Sequence, residues 1–451
     1  MTARRAQATC APCRSRALNR ERKVPEKNIA VIGGGPKAAA LAAKADCLNR
    51  FGDNKIRVEI FEKTEIGAAW NGANGYTDGE QRLCTPAERD VGFPYVDGIE
   101  PGASALMKNE YSWDAFQMTK PVLQDAYSTW VSRGRKPPIH REFANYLDYV
   151  VRTAGLTPVI GEVTSVDWLG GRWKVNYTET ASGDPYEVEG FDGIVFTGPG
   201  PAQGKVPKAG ALVHSGSDRL YDGESFWSNL SRVSSQLRGG PRRVLIVGGG
   251  GTTAAIAAWF IRSNNGHHSI AMINNSATLF TRTVNFFESV MFDNEDAWLA
   301  LSPADRRKFT DRLNRGVVWE NITDILTDAK DLVLVPGRAN QVSLAPGRAK
   351  RLIVEYANAL GASHEHEADI VVDATGFDGW WFERLLPVAL RDQMQAVTKA
   401  GLEEGMKSDL SFDLPGWPKI HAPMHSQIVA PGFMSLMALG GMADAILRDY
   451  R

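Results

Sequence analysis

The strongest constraint on this chain is a pattern that occurs twice. Ile29-Ala30-Val31-Ile32 runs into Gly33-Gly34-Gly35-Pro36, and Val244-Leu245-Ile246-Val247 runs into Gly248-Gly249-Gly250-Gly251-Thr252-Thr253, 215 positions later. Each apolar run enters a glycine turn and leaves through an alanine-rich stretch, expected as helices over 38–48 and 254–262. A buried parallel strand brings the chain to a helix N-terminus, glycines let the backbone approach a pyrophosphate, and the helix dipole favours the anion. Two such units imply two nucleotides held face to face.

The residues beyond the turns differ. The strand expected over 56–61 ends in Glu62, whose carboxylate can accept hydrogen bonds from ribose hydroxyls and would repel a 2′-phosphate. The strand over 269–273 ends in Asn274 and Asn275, with Arg282 a few residues on, and a guanidinium pairs well with phosphate. The first site therefore suits FAD and the second NADPH. For FAD we expect Gly33, Gly35, Pro36, Lys37, Ala38, Glu62, Lys63 and Trp70, joined from the C-terminal part by Thr375, Gly376, Pro431 and Gly432. For NADPH we expect Gly248, Gly250, Thr252, Thr253 and Arg282.

The 451 residues suffice for two or three domains. Basic and acidic totals of 51 and 52 nearly cancel, which argues against nucleic acid as a partner, and no apolar run approaches the roughly 20 residues of a membrane span. Residues 1–27 carry Arg4, Arg5, Arg14, Arg16, Arg20, Arg22, Lys23 and Lys27 without apolar periodicity, and read as a basic flexible tail. Cys10 and Cys13 in it lack a second ligand pair, and His267-His268 and His364/His366 lack a third ligand, so no metal site is expected. Only four cysteines in a chain of this size point to a reducing cytoplasm.

The fold class expected is α/β, a flavoprotein with two dinucleotide-binding domains in which a Rossmann-like FAD domain is split by an inserted Rossmann-like NADPH domain. The FAD domain takes 28–205, with substrate-facing loops over 66–150, and returns over 369–451 with a C-terminal helix. The insert takes 206–368. Helices are expected within 111–150, strand-like alternation over 158–196, and further strands in the insert at 332–335 and 352–356. Asp369-Ile370-Val371-Val372-Asp373-Ala374-Thr375-Gly376 is read as the return into the FAD core.

Disulfide reductases share this layout but need two thiols close in sequence beside the flavin, and Cys84 is alone there. Flavin monooxygenases need cofactor positioning and water exclusion instead. Several stretches resemble the N-hydroxylating flavin monooxygenases of siderophore assembly: Gly33-Gly34-Gly35-Pro36, His214-Ser215-Gly216-Ser217 with Tyr221, and Asp373-Ala374-Thr375-Gly376-Phe377. Within that family the chain is most similar to the mycobactin-type lysine N6-hydroxylases, through Gly75-Tyr76-Thr77-Asp78-Gly79, Asp90-Val91-Gly92-Phe93-Pro94-Tyr95, Tyr111-Ser112-Trp113, Leu279-Phe280-Thr281-Arg282, Phe286-Phe287-Glu288 and Pro431-Gly432-Phe433. The resemblance covers roughly 28–447. The segment from Arg82 to Arg89 does not reproduce the lysine-containing loop of the ornithine hydroxylases, so the contact to the substrate carboxylate is not placed.

The resemblance implies N-hydroxylation of the side-chain amine of free L-lysine through a C4a-hydroperoxyflavin, with O2 and a small amine as partners and a homo-oligomer as the candidate assembly. Ornithine, a diamine or another amine is the alternative substrate, and a non-catalytic flavoprotein or redox sensor the alternative class. Neutralising a lysine ammonium at pH 7 costs about 4.6 kcal/mol, part of which a dry apolar pocket supplies. Trp70, Tyr76, Phe93, Tyr95, Trp113, Phe286 and Phe287 are expected to build that pocket, with ordinary core packing as the alternative for each, and Glu288 is expected on substrate or nicotinamide, with a helix-start carboxylate as the alternative. Gln81 is expected at the flavin pyrimidine or hydroperoxide, where an amide both donates and accepts; a loop residue in solvent is the alternative. Asn285 is expected to contact substrate or nicotinamide, but a turn amide explains it equally well.

Overall fold

Both glycine turns sit at the ends of buried parallel strands. The computed structural model describes residues 14–15, 26–74, 77–121, 126–263, 268–276, 278–283, 285–314, 317–347 and 350–451. Cys10, Cys13 and most of the basic tail lie outside these. The strand that leads into the first turn begins at Glu26, inside the expected tail, and a two-residue strand, Arg14–Ser15, pairs with Tyr186 and Glu187 at the edge of the same sheet.

That sheet has eight strands, in the order Arg14–Ser15, Pro185–Phe191, Arg172–Glu179, Val159–Leu169, Lys55–Glu62, Glu26–Ile32, Gly193–Phe196, Lys419–His421. Its core is parallel: Glu26–Ile32 lies between Lys55–Glu62 and Gly193–Phe196, with Ile29 opposite Val58 and Gly193. Val159–Leu169 touches this core only at Phe61 and Glu62, then leads an antiparallel meander. The helix Pro36–Asn49 covers the core with six buried alanines, which let it pack closely on Leu439–Leu447 and His140–Thr153. Lys44 of this helix makes a buried ion pair with Asp444 at 2.9 Å.

The second sheet is wholly parallel, in the order Leu332–Pro336, Ser269–Asn274, Arg243–Val247, Ile370–Asp373, Leu220–Asp222. Side chains alternate across a strand. Val244, Ile246, Ile270, Met272, Ile370 and Val372 face the helix Gly251–Ser263, while Leu245, Val247, Ala271, Ile273 and Val371 face a three-stranded antiparallel sheet of Arg338–Leu344, Leu352–Ala357 and Ser363–Ala368.

One expected boundary changes. Ile370–Asp373 does not return to the first sheet; it pairs with Arg243–Val247 and Leu220–Asp222, so the second sheet extends through Asp373. The chain re-enters the first core at Phe382 and Leu385. A short apolar run fits the middle of either parallel sheet, and only strand pairing decides between them. Likewise 352–356 is a strand, but of the small antiparallel sheet. Among the described residues no helix is long and apolar enough to cross a membrane, and no three His, Cys, Asp or Glu side chains are grouped to hold a metal.

Candidate functional site

The first turn is shaped by its neighbours. Gly33 has φ +102°, and a Cβ there would lie 2.6 Å from Thr197 Oγ1. Thr197 Oγ1 in turn donates to the Ile32 carbonyl at 2.9 Å, locking the turn to Gly193–Phe196. The Gly34 amide donates to Glu62 Oε2 at 2.6 Å and the Thr64 amide to Oε1 at 3.2 Å. Glu62 therefore builds the turn and keeps acceptor capacity for ribose hydroxyls, since a carboxylate offers about four lone-pair positions. Beyond Gly35 the space is open: a Cβ there would meet no atom within 4 Å. Pro36 starts the helix where its missing N–H costs nothing. An open cradle, bare glycine and a helix N-terminus together fit a dinucleotide diphosphate.

The second turn repeats this with neutral parts. Gly248 has φ +139°, and its Cβ would meet Thr253 Oγ1 at 2.4 Å and the Ala374 carbonyl at 2.6 Å. A Cβ on Gly249 would lie 2.5 Å from the Asn274 side chain. Asn274 is buried, donating to the Thr278 carbonyl at 3.2 Å and accepting from the Ser276 amide at 3.1 Å. Thr253 is fully buried, and its hydroxyl has no partner among the described residues. Gly251 is open.

The expected loop joins the two units. Gln81 is buried and its Nε2 donates to the Ala255 carbonyl of the helix Gly251–Ser263 at 3.2 Å. Asp78 pairs with Arg262 of that helix. The Gln81 carbonyl accepts from the His140 amide at 2.7 Å, and His140 Nδ1 lies 3.0 Å from Thr77 Oγ1, with Trp70 packed edge-on at 4.8 Å. Burial pushes His140 down to about 4, so it is neutral at pH 7. Trp70, Gln81 and the second helix are thus brought together. Tyr76 lies outside the described residues.

Arg89 is a residue that the sequence reading did not single out. Its side chain is 10% exposed and spans three segments: it donates to the Met437 carbonyl at 2.8 Å, reaches Asp293 at 3.4 Å, and covers the Phe93 ring at 4.5 Å. Asp90 beside it is buried and accepts from the amides of Gly92 and Trp113 and from Tyr95 Oη; burial pushes its carboxyl up to about 6. An Arg-Asp pair entering an aromatic-proline loop was the available local signal, but nothing local points to Asp293, 204 positions away.

Other expectations change. Phe286 and Phe287 are 73% and 79% exposed, so they do not wall a dry pocket; both sit in the first turn of the helix Phe286–Asp293, whose core contact is Phe292. Asn285 caps that helix, accepting from the Phe287 amide at 2.9 Å, and Glu288 pairs with Arg312 at 3.4 Å. Arg282 is buried between the rings of Phe292 and Trp319, at 4.7 and 5.1 Å, and lines a cleft of about 380 Å³ together with Asn285, Glu288 and the exposed Arg312. Lys63 lies on the surface beside Glu162 at 3.1 Å. Thr375 and Gly376 hold the segment that crosses between the two sheets: the Lys205 amide donates to Thr375 Oγ1 at 3.0 Å and the Gln203 amide to the Gly376 carbonyl at 2.9 Å. Gly432, which follows Pro431, packs under the Phe292 carbonyl, which would lie 2.3 Å from a Cβ. Burial pushes the Cys47 and Cys84 thiols up to about 12, the reverse of a reactive thiolate.

No protein-family model matches the chain. It is 32% identical over 434 residues to L-lysine N6-monooxygenase MbtG of Mycobacterium sp. (strain MCS), covering 93% of this chain and 94% of that one. The Mycolicibacterium paratuberculosis protein of the same name is 30% identical with the same coverage. Among solved structures, the lysine monooxygenase NbtG from Nocardia farcinica is similar with a TM-score of 0.74 at 28% identity, over 93% of this chain and 99% of that one; it is described as having an unprecedented NADPH domain conformation. The ornithine N-hydroxylase KtzI of Kutzneria sp. 744 shares the fold, with a TM-score of 0.72 at 16% identity, over 94% and 99% of the two chains. Likeness of 30–32% identity along 93% of the chain places it in the L-lysine N6-monooxygenase family, whose members are flavin-dependent N-hydroxylating monooxygenases.

Proposed function

We propose that this enzyme N-hydroxylates the side-chain amine of free L-lysine, using FAD, NADPH and O2, and so supplies a hydroxylamine for a hydroxamate siderophore. The observation that carries the assignment of two different nucleotides is the matched pair of turns, one closed by the Glu62 carboxylate and the other by the Asn274 amide. Gly33, Gly35, Pro36, Lys37, Ala38 and Glu62 are assigned to FAD, and Gly248, Gly250, Thr252 and Thr253 to NADPH. Bound together, the two cofactors supply reducing electrons and oxygen transfer. Thr253 brings to the second turn a buried hydroxyl with no partner among the described residues.

The chain's own residues orient the substrate and exclude water. Arg89 is the cation we assign to the α-carboxylate: its guanidinium lies on the Phe93 ring and the Met437 carbonyl, and the substrate would take the place of Asp293, now at 3.4 Å. Trp70 and neutral His140 pack edge-on and carry no charge, a surface of the kind that favours the uncharged amine needed as nucleophile. Gln81, fixed on Ala255, sets the loop at a constant distance from the second nucleotide helix. We place the enzyme in the cytoplasm, where NADPH is regenerated.

The test is hydroxylamine formation measured against NADPH consumption and peroxide release, with L-lysine, L-ornithine and cadaverine. One hydroxylamine per NADPH with L-lysine, and mainly peroxide with the others, is the expected result. Peroxide alone with L-lysine overturns the substrate assignment.

A further inference from the structure

Two buried lysines lie on the helix Pro36–Asn49, and the fold treats them differently. Lys44 is 1% exposed and has Asp444 at 2.9 Å. Lys37 is 6% exposed and, among the described residues, has no carboxylate partner; its Nζ donates to the Met434 carbonyl at 3.0 Å. Lys37 is also the second residue of the helix, where the positive end of the dipole disfavours a cation. A buried ammonium at a helix N-terminus, held by one neutral carbonyl, is a poor arrangement for stability alone.

The charged groups on the neighbouring segments are already committed. Glu62 accepts from the Gly34 and Thr64 amides, and Asp444 holds Lys44. Asp90 accepts from Gly92, Trp113 and Tyr95, Arg89 spans Met437 and Asp293, and neutral His140 is on Thr77. Burial alone moves the Lys37 ammonium down to about 8. The open space at Gly35 is two residues away in sequence.

We infer that Lys37 is the protein's counter-charge for the diphosphate of FAD and takes up a proton from solvent when FAD binds at alkaline pH. The inference rests on FAD occupying the first turn, as proposed above. An arriving dianion stabilises the protonated amine and raises its pKa. Above pH 8 the flavin-free protein then holds fewer protons at this residue than the complex. Affinity for FAD therefore falls as pH rises past 8, and binding at pH 7 moves almost no proton.

The experiment uses the full chain stripped of flavin. FAD affinity is read by flavin fluorescence from pH 7 to pH 9.5, and proton uptake by calorimetry in two buffers of different ionisation enthalpy. For the wild type, the dissociation constant is expected to rise about tenfold between pH 8 and pH 9.5, with uptake approaching one proton at the upper end. Lys37→Met is expected to bind FAD about tenfold or more weakly at pH 7, with no uptake at any pH. Lys37→Arg should restore affinity at pH 7 and stay flat with pH. ADP and riboflavin separate the two ends of the cofactor: Lys37→Met should weaken ADP and leave riboflavin unchanged. Unchanged FAD affinity in Lys37→Met, persistent uptake in that variant, or equal weakening of riboflavin overturns the inference while leaving FAD binding intact. Should Lys37→Met fail to fold, the wild-type proton count and Lys37→Arg decide. Absence of FAD binding by the wild type at every pH overturns the functional reading as well.

Discussion

Glu62 and Asn274 occupy the same station in two sheets. Each ends the strand beside its glycine turn and lies against the second glycine, Gly34 in one case and Gly249 in the other. A carboxylate in the first place repels a nearby phosphate, and a neutral amide in the second does not. The amide of Asn274 also folds the next loop, so its neutrality is built into the backbone there.

Asn274→Asp keeps the shape of this station and adds a negative charge. We expect the ratio of kcat/KM for NADPH over NADH to fall about tenfold, the scale of one charge pair at a partly buried site. An unchanged ratio in steady-state assays would remove Asn274 from nucleotide selection. Arg282→Ala should lower the ratio too. Because Arg282 is stacked between Phe292 and Trp319, that variant is also expected to lose stability, which thermal melting would show. Arg312→Ala, exposed in the same cleft, tests the charge without that cost.

Gly33→Ala and Gly35→Ala separate folding from cofactor binding. Gly33 combines φ +102° with a contact of 2.6 Å, so its alanine variant should lose about 1–3 kcal/mol of stability in urea titrations. Gly35 has negative φ and open space, so Gly35→Ala should melt like the wild type without flavin. The same methyl group is expected to weaken FAD binding strongly. Wild-type FAD affinity in Gly35→Ala would place the diphosphate elsewhere.

Arg89→Ala is expected to raise KM for L-lysine about tenfold or more, since a hydrogen bond to a charged group contributes roughly 1.5–3 kcal/mol. Its effect on cadaverine, which lacks the carboxylate, should be small. Equal loss on both amines would assign Arg89 to joining the Asp293 helix and Met437 instead.

His140 and His421 are buried and neutral, each pushed down to about 4 by burial. Both bind fewer protons folded than unfolded between about pH 4 and the ordinary value of 6.5. Their contribution to stability is therefore full above pH 6.5 and is lost as pH falls toward 4. Each adds a slope of about 1.4 kcal/mol per pH unit near pH 5. His140→Gln should remove one such slope from a plot of unfolding free energy against pH, and an unchanged slope would show that His140 protonates in the folded protein.

Much of this protein was legible locally. Two strand-glycine-helix units are written in consecutive residues because a bare backbone and a helix N-terminus are needed at one point in the chain, and Glu62 and Asn274 follow at the end of the next strand. The meander over 159–191 and the helices around Pro137-Pro138 also follow from local periodicity and breakers. Tertiary structure decided the rest. Ile370–Asp373 could have lain in either sheet, and backbone pairing with Arg243–Val247 chose the second. Phe286 and Phe287 look like pocket walls by composition, yet the helix that carries them turns only Phe292 inward. Arg89 meets Asp293 across 204 positions, and Gln81 meets Ala255 across 174. Short-range order sets what each segment is, because backbone hydrogen bonds and side-chain alternation act over a few residues; which buried charges face each other depends on how the segments pack, and no local rule carries that.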